Sequence, residues 1–393
     1  MSTRTESSPT EFLRIAAHTA EHFGFKTADM LRRDPECKNC TTSLPHTIEA
    51  RDSDFDITQN LLTRGITQFC DERLHALPGP VLLYSIDTTG QTGDTAVSFH
   101  IFNVPKSIAE AILIQTSRAI ASELGYTEHT VRINSLGDSD SMTRYGRELT
   151  NFLRKRLDLM PETSRELMKQ HVMMALQDLV TLEHDLAYKS PNPLEYLSDQ
   201  SRKHFRDIIE YLDMSETPYE IDSKMLGHHE YYSDALFAID LPKFEDGTPN
   251  PLQIRGGRFD SFVERKTKKK TSAVGAVALL RERPAPARTP RFKLETPTVY
   301  IIQLGFGPKV RSLMIINELR QAGISVFQDL ANDSLSAQLR DAERRGVKYV
   351  IIIGQKEFVD GTVILRDMDA RKQEPIPHDT LVRKLKRNSH VVA

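Results

Sequence analysis

The sequence predicts an α+β fold: a domain built on an antiparallel sheet with helices packed against it, followed by a small α/β domain. Three observations carry this. Val81 to Ile86 and Ala96 to Val104 alternate at period two around a turn-rich loop, Asp87 to Asp94, which is the pattern of an antiparallel hairpin. Pro284, Pro286, Pro290 and Pro297 then interrupt the chain among small and basic residues, and this stretch reads as a linker. Beyond it, short apolar runs alternate with helical segments, the mark of a mainly parallel α/β sheet. The expected organisation is therefore residues 1–283, a proline-rich linker at 284–297, and residues 298–393.

Each element has its own signal. Phe12, Ile15, Ala16, Thr19 and Phe23 fall near one helical face and Gly24 stops that helix. Residues 33–54 are polar and turn-rich and contain Cys37-x-x-Cys40; residues 57–75 are helical. After the hairpin, Pro105 starts a helix whose apolar register runs from Ile108 to Leu124, closed by Gly125. Val131 to Ser135 is a short strand. Residues 139–186 are helix-rich with a break at Pro161, and 194–213 form another amphipathic helix. Residues 218–240 read as two strands joined by a loop from Lys224 to Glu230, and 251–260 as a strand. The basic run Arg265 to Lys270 is a loop, and the small-residue run 272–281 a helix. After the linker come strands at Val299–Leu304, Ser325–Gln328, Tyr349–Ile353 and Gly361–Arg366, with helices at Lys309–Ala322, Ser334–Arg345 and Asp379–Lys386.

Composition narrows the function classes. The 393 residues are 39% hydrophobic and 27% charged, with a net charge of -2, which describes a globular protein without general affinity for polyanions. No apolar run reaches membrane-span length and no signal-peptide core opens the chain, so no membrane partner and a cytoplasmic location are expected. Three cysteines, an odd number, argue for a reducing compartment and against a disulfide framework. Cys37-x-x-Cys40 is half of a zinc site without a second pair, so no metal is assigned.

The stretch with most chemical content is Gly256-Gly257-Arg258-Phe259-Asp260. Adjacent glycines allow close backbone approach, and an arginine beside them offers a planar donor fork for carboxylate or phosphate. Arg258 reads either as a ligand-facing cation or as a structural ion pair. Tyr231-Tyr232 reads either as the lining of a small-molecule pocket or as two aromatics packed on opposite faces of a strand. His228 and His229, adjacent on a chain, point apart on a strand and read as a loop pair, not a metal cluster.

Taken together these stretches resemble the histidyl-tRNA synthetase family, a class II aminoacyl-tRNA synthetase, over roughly residues 81–390. Ile133-Asn134-Ser135-Leu136-Gly137 is similar to the segment after the family's second class motif. Pro193 to Leu197 and Pro218 to Asp222 resemble the approach to its histidine-binding segment, and Tyr231-Tyr232 that segment's paired tyrosines. Gly256 to Asp260 is similar to Gly-Gly-Arg-Tyr-Asp, Ala273-Val274-Gly275 opens the third motif, and residues 298–390 look like the anticodon-binding domain. The resemblance implies a class II synthetase-like domain before the linker and an anticodon-binding-like domain after it. It implies an amino acid-like pocket around Tyr231, Tyr232 and Arg258 and a degenerate nucleotide-binding set, Gly256, Gly257 and Gly275. It further implies tRNA as a partner through residues 298–393, a homodimer, and ATP with Mg2+ as cofactors if the ancestral activity survives.

The family's reaction joins a carboxylate to the α-phosphate of ATP, and such chemistry depends on positioned cations. In this sequence they are missing. No arginine lies between Leu74 and Ser117, Gly227 stands where the histidine-binding segment should open with arginine, and Glu282 stands at the third motif's arginine position. Arg281 or Arg283 reaches that position with a one-residue shift. No catalytic residue is assigned. The expected function is a synthetase-like protein deficient in aminoacylation that binds tRNA, an amino acid or a protein partner. The alternatives are a divergent working histidine–tRNA ligase and a structural dimer module without ligand.

Overall fold

The computed structural model describes residues 9–32, 55–77, 79–88, 94–243, 248–281, 298–324, 326–329 and 333–389. Cys37, Cys40, Glu282, Arg283 and the proline-rich stretch 284–297 lie outside them.

The chain begins with α1 (Pro9–His22), α2 (Ala28–Arg32) and α3 (Ile57–Asp71). α3 starts on a capping box: Asp56 accepts from the Gln59 amide at 2.8 Å and Gln59 accepts from the Asp56 amide at 3.0 Å. The hairpin β1 (Val81–Thr88) and β2 (Thr95–Phe102) follows, then α4 (Ile108–Glu123) and β3 (Thr130–Ser135). A helical excursion comes next: α5 (Ser139–Arg154), α6 (Glu162–Gln170), α7 (Val172–Thr181) and α8 (Asp185–Tyr188). α9 (Asp199–Met214), β4 (Tyr219–Ile221), β5 (Ala235–Asp240), β6 (Leu252–Arg258), α10 (Asp260–Thr267) and β7 (Ala273–Leu280) complete the first unit.

Its seven strands run in the order β1-β2-β7-β6-β5-β3-β4. Every pair is antiparallel except β3 with β4 at the edge. The small-residue run 272–281, expected as a helix, is instead the central strand β7. Its reason is tertiary: both faces are covered, and Gly275 and Ala276 let β7 lie against Gly257 and Gly256 of β6. The basic run expected as a loop is helical through Thr267, where Lys268 ends α10 in the left-handed conformation.

The second unit carries β8 (Val299–Gln303), α11 (Phe306–Gln321), β9 (Val326–Gln328), α12 (Leu335–Arg344), β10 (Tyr349–Ile353), α13 (Gln355–Asp360), β11 (Thr362–Asp367), β12 (Lys372–Pro377) and α14 (Leu381–Ser389). The sheet order is β12-β11-β10-β8-β9, parallel across β10-β8-β9 and antiparallel at β11 and β12. β12 carries Pro375 and Pro377, residues that break a central strand but are tolerated at a sheet edge. One continuous core joins the units: Val310, Leu313 and Ile316 belong to the same buried cluster as Phe12, Ile112 and Ile120. Ion pairs cross the seam, Arg320 with Glu123 and Lys106 with Asp333 at 2.6 Å, and Lys309 of the second unit also reaches Asp333 at 2.7 Å.

Candidate functional site: two cavities on one face of the sheet

Period two along β6 divides its side chains between two environments. Leu252 and Ile254 join the core formed with α1, α4 and α9, and Arg258 has the same parity. Arg258 therefore turns toward α4, where its Nε meets Glu110 Oε1 at 2.6 Å and its Nη2 meets Oε2 at 2.8 Å. It is 2% exposed and Glu110 is fully buried. Nη1 adds Asp260 at 3.3 Å, and His204 shares Glu110 at 2.8 Å. Burial opposes ionisation of Glu110, but the Arg258 and His204 charges outweigh it and hold the carboxyl down at about 2. The assignment of Arg258 to an amino acid-like pocket is thus corrected: it forms a buried structural ion pair on the opposite face.

The glycines assigned to a nucleotide are also filled by protein. A Cβ on Gly256 would meet the Gly275 carbonyl at 2.5 Å and Phe237 at 2.7 Å; one on Gly257 would meet the Ala235 carbonyl and Tyr232, both at 2.9 Å. A Cβ on Gly275 would meet Leu62 of α3 at 2.8 Å. These residues buy strand-to-strand and helix-to-strand closeness, and they do not fit a nucleotide cradle. Among the described residues no group of three or more His, Cys, Asp or Glu could hold a metal ion.

The other face is different. α3 packs over β1, β2 and β7, with Arg64 to Asp87 at 3.0 Å, Ser85 to Gln68 at 2.6 Å, and His100 Nε2 to the Leu62 carbonyl at 3.0 Å. Past α3, the strands β3, β5 and β6 open into a cavity of about 280 Å3. Its wall includes Asp56, Gln59, Gln177, Lys224, Tyr232 and Arg255. A larger cavity of about 1330 Å3 lies between the α5–α7 excursion and the 229–233 turn. Tyr232 lines both, and Gly256 lines the small one; Tyr231, 1% exposed, borders the large one while packing against Phe55, Phe259 and Phe262. His228 and His229, read as a loop pair, lie in a loop and turn with ring centroids 4.7 Å apart, and His229 stacks on His171 at 3.7 Å.

Burial first, then the charge of Asp56, raises the Tyr232 hydroxyl above its ordinary value, while Arg255 acts against them. Asp56, Tyr232 and Arg255 all line the small cavity, which therefore presents an aromatic surface with an anionic and a cationic group, the chemistry that holds a zwitterion. Asp56, Gln59 and Arg255 are the residues the sequence reading missed. The signal for Arg255 was present: counting by two from Leu252 and Ile254 reaches Arg258, which leaves Arg255 on the opposite face. The signal for Asp56 was its capping-box spacing to Gln59.

The anticodon binding domain family matches residues 298–388. The histidine–tRNA ligase of Fervidobacterium nodosum is 27% identical over 304 residues, covering 75% of this chain and 70% of that protein. That of Symbiobacterium thermophilum is 27% identical over 320 residues, covering 79% and 72%. Over about three quarters of its length the chain is similar to histidine–tRNA ligases, and its C-terminal part matches the anticodon binding domain family. The solved apo histidyl-tRNA synthetase of S. aureus overlays with a TM-score of 0.44 at 17% identity, over 81% of this chain and 80% of that one. The hairpin side chains on the α3 face are Val81, Leu83, Ser85 and Asp87 on β1 and Ala96, Ser98, His100 and Phe102 on β2. None is an arginine. His100 is wholly buried, and burial pushes its imidazole down to about 4, so it is uncharged at neutral pH. No helix among the described residues is long and apolar enough to cross a membrane.

Proposed function

We propose that this chain is a synthetase-like protein that holds an amino acid-like ligand and tRNA in a translation-linked or regulatory role and does not charge histidine onto tRNA. The observation that carries it is electrostatic. Amino-acid activation builds negative charge on phosphorus between two anions, and removing one positioned donor from such a site costs about 10²–10³ in rate. The hairpin offers no cation to that charge, Gly227 replaces another, and Arg258 is spent on Glu110. The amino acid-sized cavity with Asp56, Tyr232 and Arg255 supports retained ligand binding. The match at 298–388 and the basic helix α14, with Arg383, Lys384, Lys386 and Arg387, support tRNA as partner of residues 298–393. A homodimer and the division at 284–297 belong to the same reading.

The test is ATP–pyrophosphate exchange with histidine, alongside filter binding of tRNA across a salt series. The expected result is no exchange above background with tRNA binding that weakens steeply as salt rises. A robust exchange rate with histidine would refute the reading.

A further inference from the structure

We propose that the small cavity selects an amino acid carrying a second anionic group, such as glutamate or aspartate, and that Arg255 is the residue that selects it. This rests on the cavity being the amino acid pocket proposed above.

The argument is a charge count on the wall. Three cations line the cavity, Arg132, Lys224 and Arg255, against one carboxylate, Asp56. Arg132 is already matched: it donates to Asp222 at 3.1 Å and to Asp240 at 3.0 Å. Lys224 donates only to neutral oxygens, Ser190 Oγ at 2.7 Å and the Ser190 carbonyl at 3.2 Å, with Asp222 as the acid acting on it. Arg255 is exposed, and no ion pair or hydrogen bond reaches its guanidinium among the described residues. A zwitterion gives its ammonium to Asp56 and its carboxylate to one cation. The other cation then faces the ligand's side chain. A side-chain carboxylate satisfies it; an imidazole does not, and an imidazolium meets a like charge.

Arg255 is also out of place by any rule of sheet composition. It stands in a strand flanked on both sides, opposite Ala238 of β5 and Val277 of β7. Its guanidinium stands on the open face of the sheet, at the wall of the cavity, with no protein carboxylate paired to it among the described residues. Its backbone is held by two neighbouring strands, so the guanidinium is presented from a rigid base, as a selecting group requires. The volume, about 280 Å3, admits one small amino acid and leaves no room for a nucleotide beside it.

The experiment is calorimetric titration of the full chain with glutamate, aspartate, O-phosphoserine, glutamine and histidine, repeated on Arg255→Gln and Asp56→Asn. The expected order places the anionic amino acids at least about tenfold tighter than glutamine and histidine, the increment of one charge-assisted hydrogen bond. Arg255→Gln should erase that difference by weakening the anionic amino acids at least about tenfold more than glutamine, and Asp56→Asn should weaken all of them. The wild-type order needs no variant to fold. Histidine binding more tightly than glutamate overturns the selectivity and leaves the amino acid pocket standing. Equal losses for glutamate and glutamine in Arg255→Gln overturn the role of Arg255. No heat with any of the five overturns the pocket itself.

Discussion

Replacing Glu110 by glutamine tests whether the arginine of the glycine motif is structural. The substitution keeps the shape and removes the charge that holds Arg258. In the native protein Arg258 is 2% exposed, and its two short bonds, 2.6 and 2.8 Å, both end on Glu110. What remains for Arg258 is Asp260 at 3.3 Å and the Val104 carbonyl at 3.4 Å, and His204 loses its carboxylate as well. Breaking one side of a buried pair strands the other charge in a medium that cannot solvate it, at about 3–5 kcal/mol. Urea denaturation followed by far-UV circular dichroism reads this as a lower midpoint with an unchanged slope. The double variant Glu110→Leu with Arg258→Met, which removes both charges and fills the space, should recover most of the loss, because neither charge of the pair is then left to be desolvated. A loss below about 1 kcal/mol for Glu110→Gln, the scale of a surface pair, would refute the burial argument.

Two further outcomes follow from the same geometry. Burial, with the His171 and His228 charges beside it, pushes the His229 imidazole down to about 4. Its unfolded value is near 6.5, so the unfolded chain binds the extra proton and stability falls as pH drops from about 6.5 toward about 4. Thermal melts between pH 4.5 and 7 should show a shallower acid loss in His229→Phe than in the native chain, and identical slopes would contradict the stacked, neutral histidine. Gly256→Ala should cost about 1–3 kcal/mol by denaturation, since its Cβ would stand 2.5 Å from the Gly275 carbonyl, which the paired strand cannot move. A neutral substitution there would mean the β6–β7 spacing is looser than described.

The sequence determined the order of elements wherever local periodicity and boundary residues agreed. The 81–104 hairpin is legible because alternation and a turn-forming loop coincide, and α4 because a proline, an apolar stripe and Gly125 bracket it. It also showed which cations the hairpin lacks, since an absent arginine is a fact of composition. The run Ala273–Leu280 was not legible: alanine, valine and glycine fit a tight helix contact or a strand buried on both faces, and only its position between β2 and β6 decides. The same limit explains Arg258. Its chemistry suits a ligand or a carboxylate equally, and the choice rests on Glu110, 148 residues away, reaching it from α4. Sequence spacing fixes which side chains share a face of a strand. Which face meets a helix and which meets a cavity is set by long-range packing, and so Arg255, not Arg258, faces the pocket.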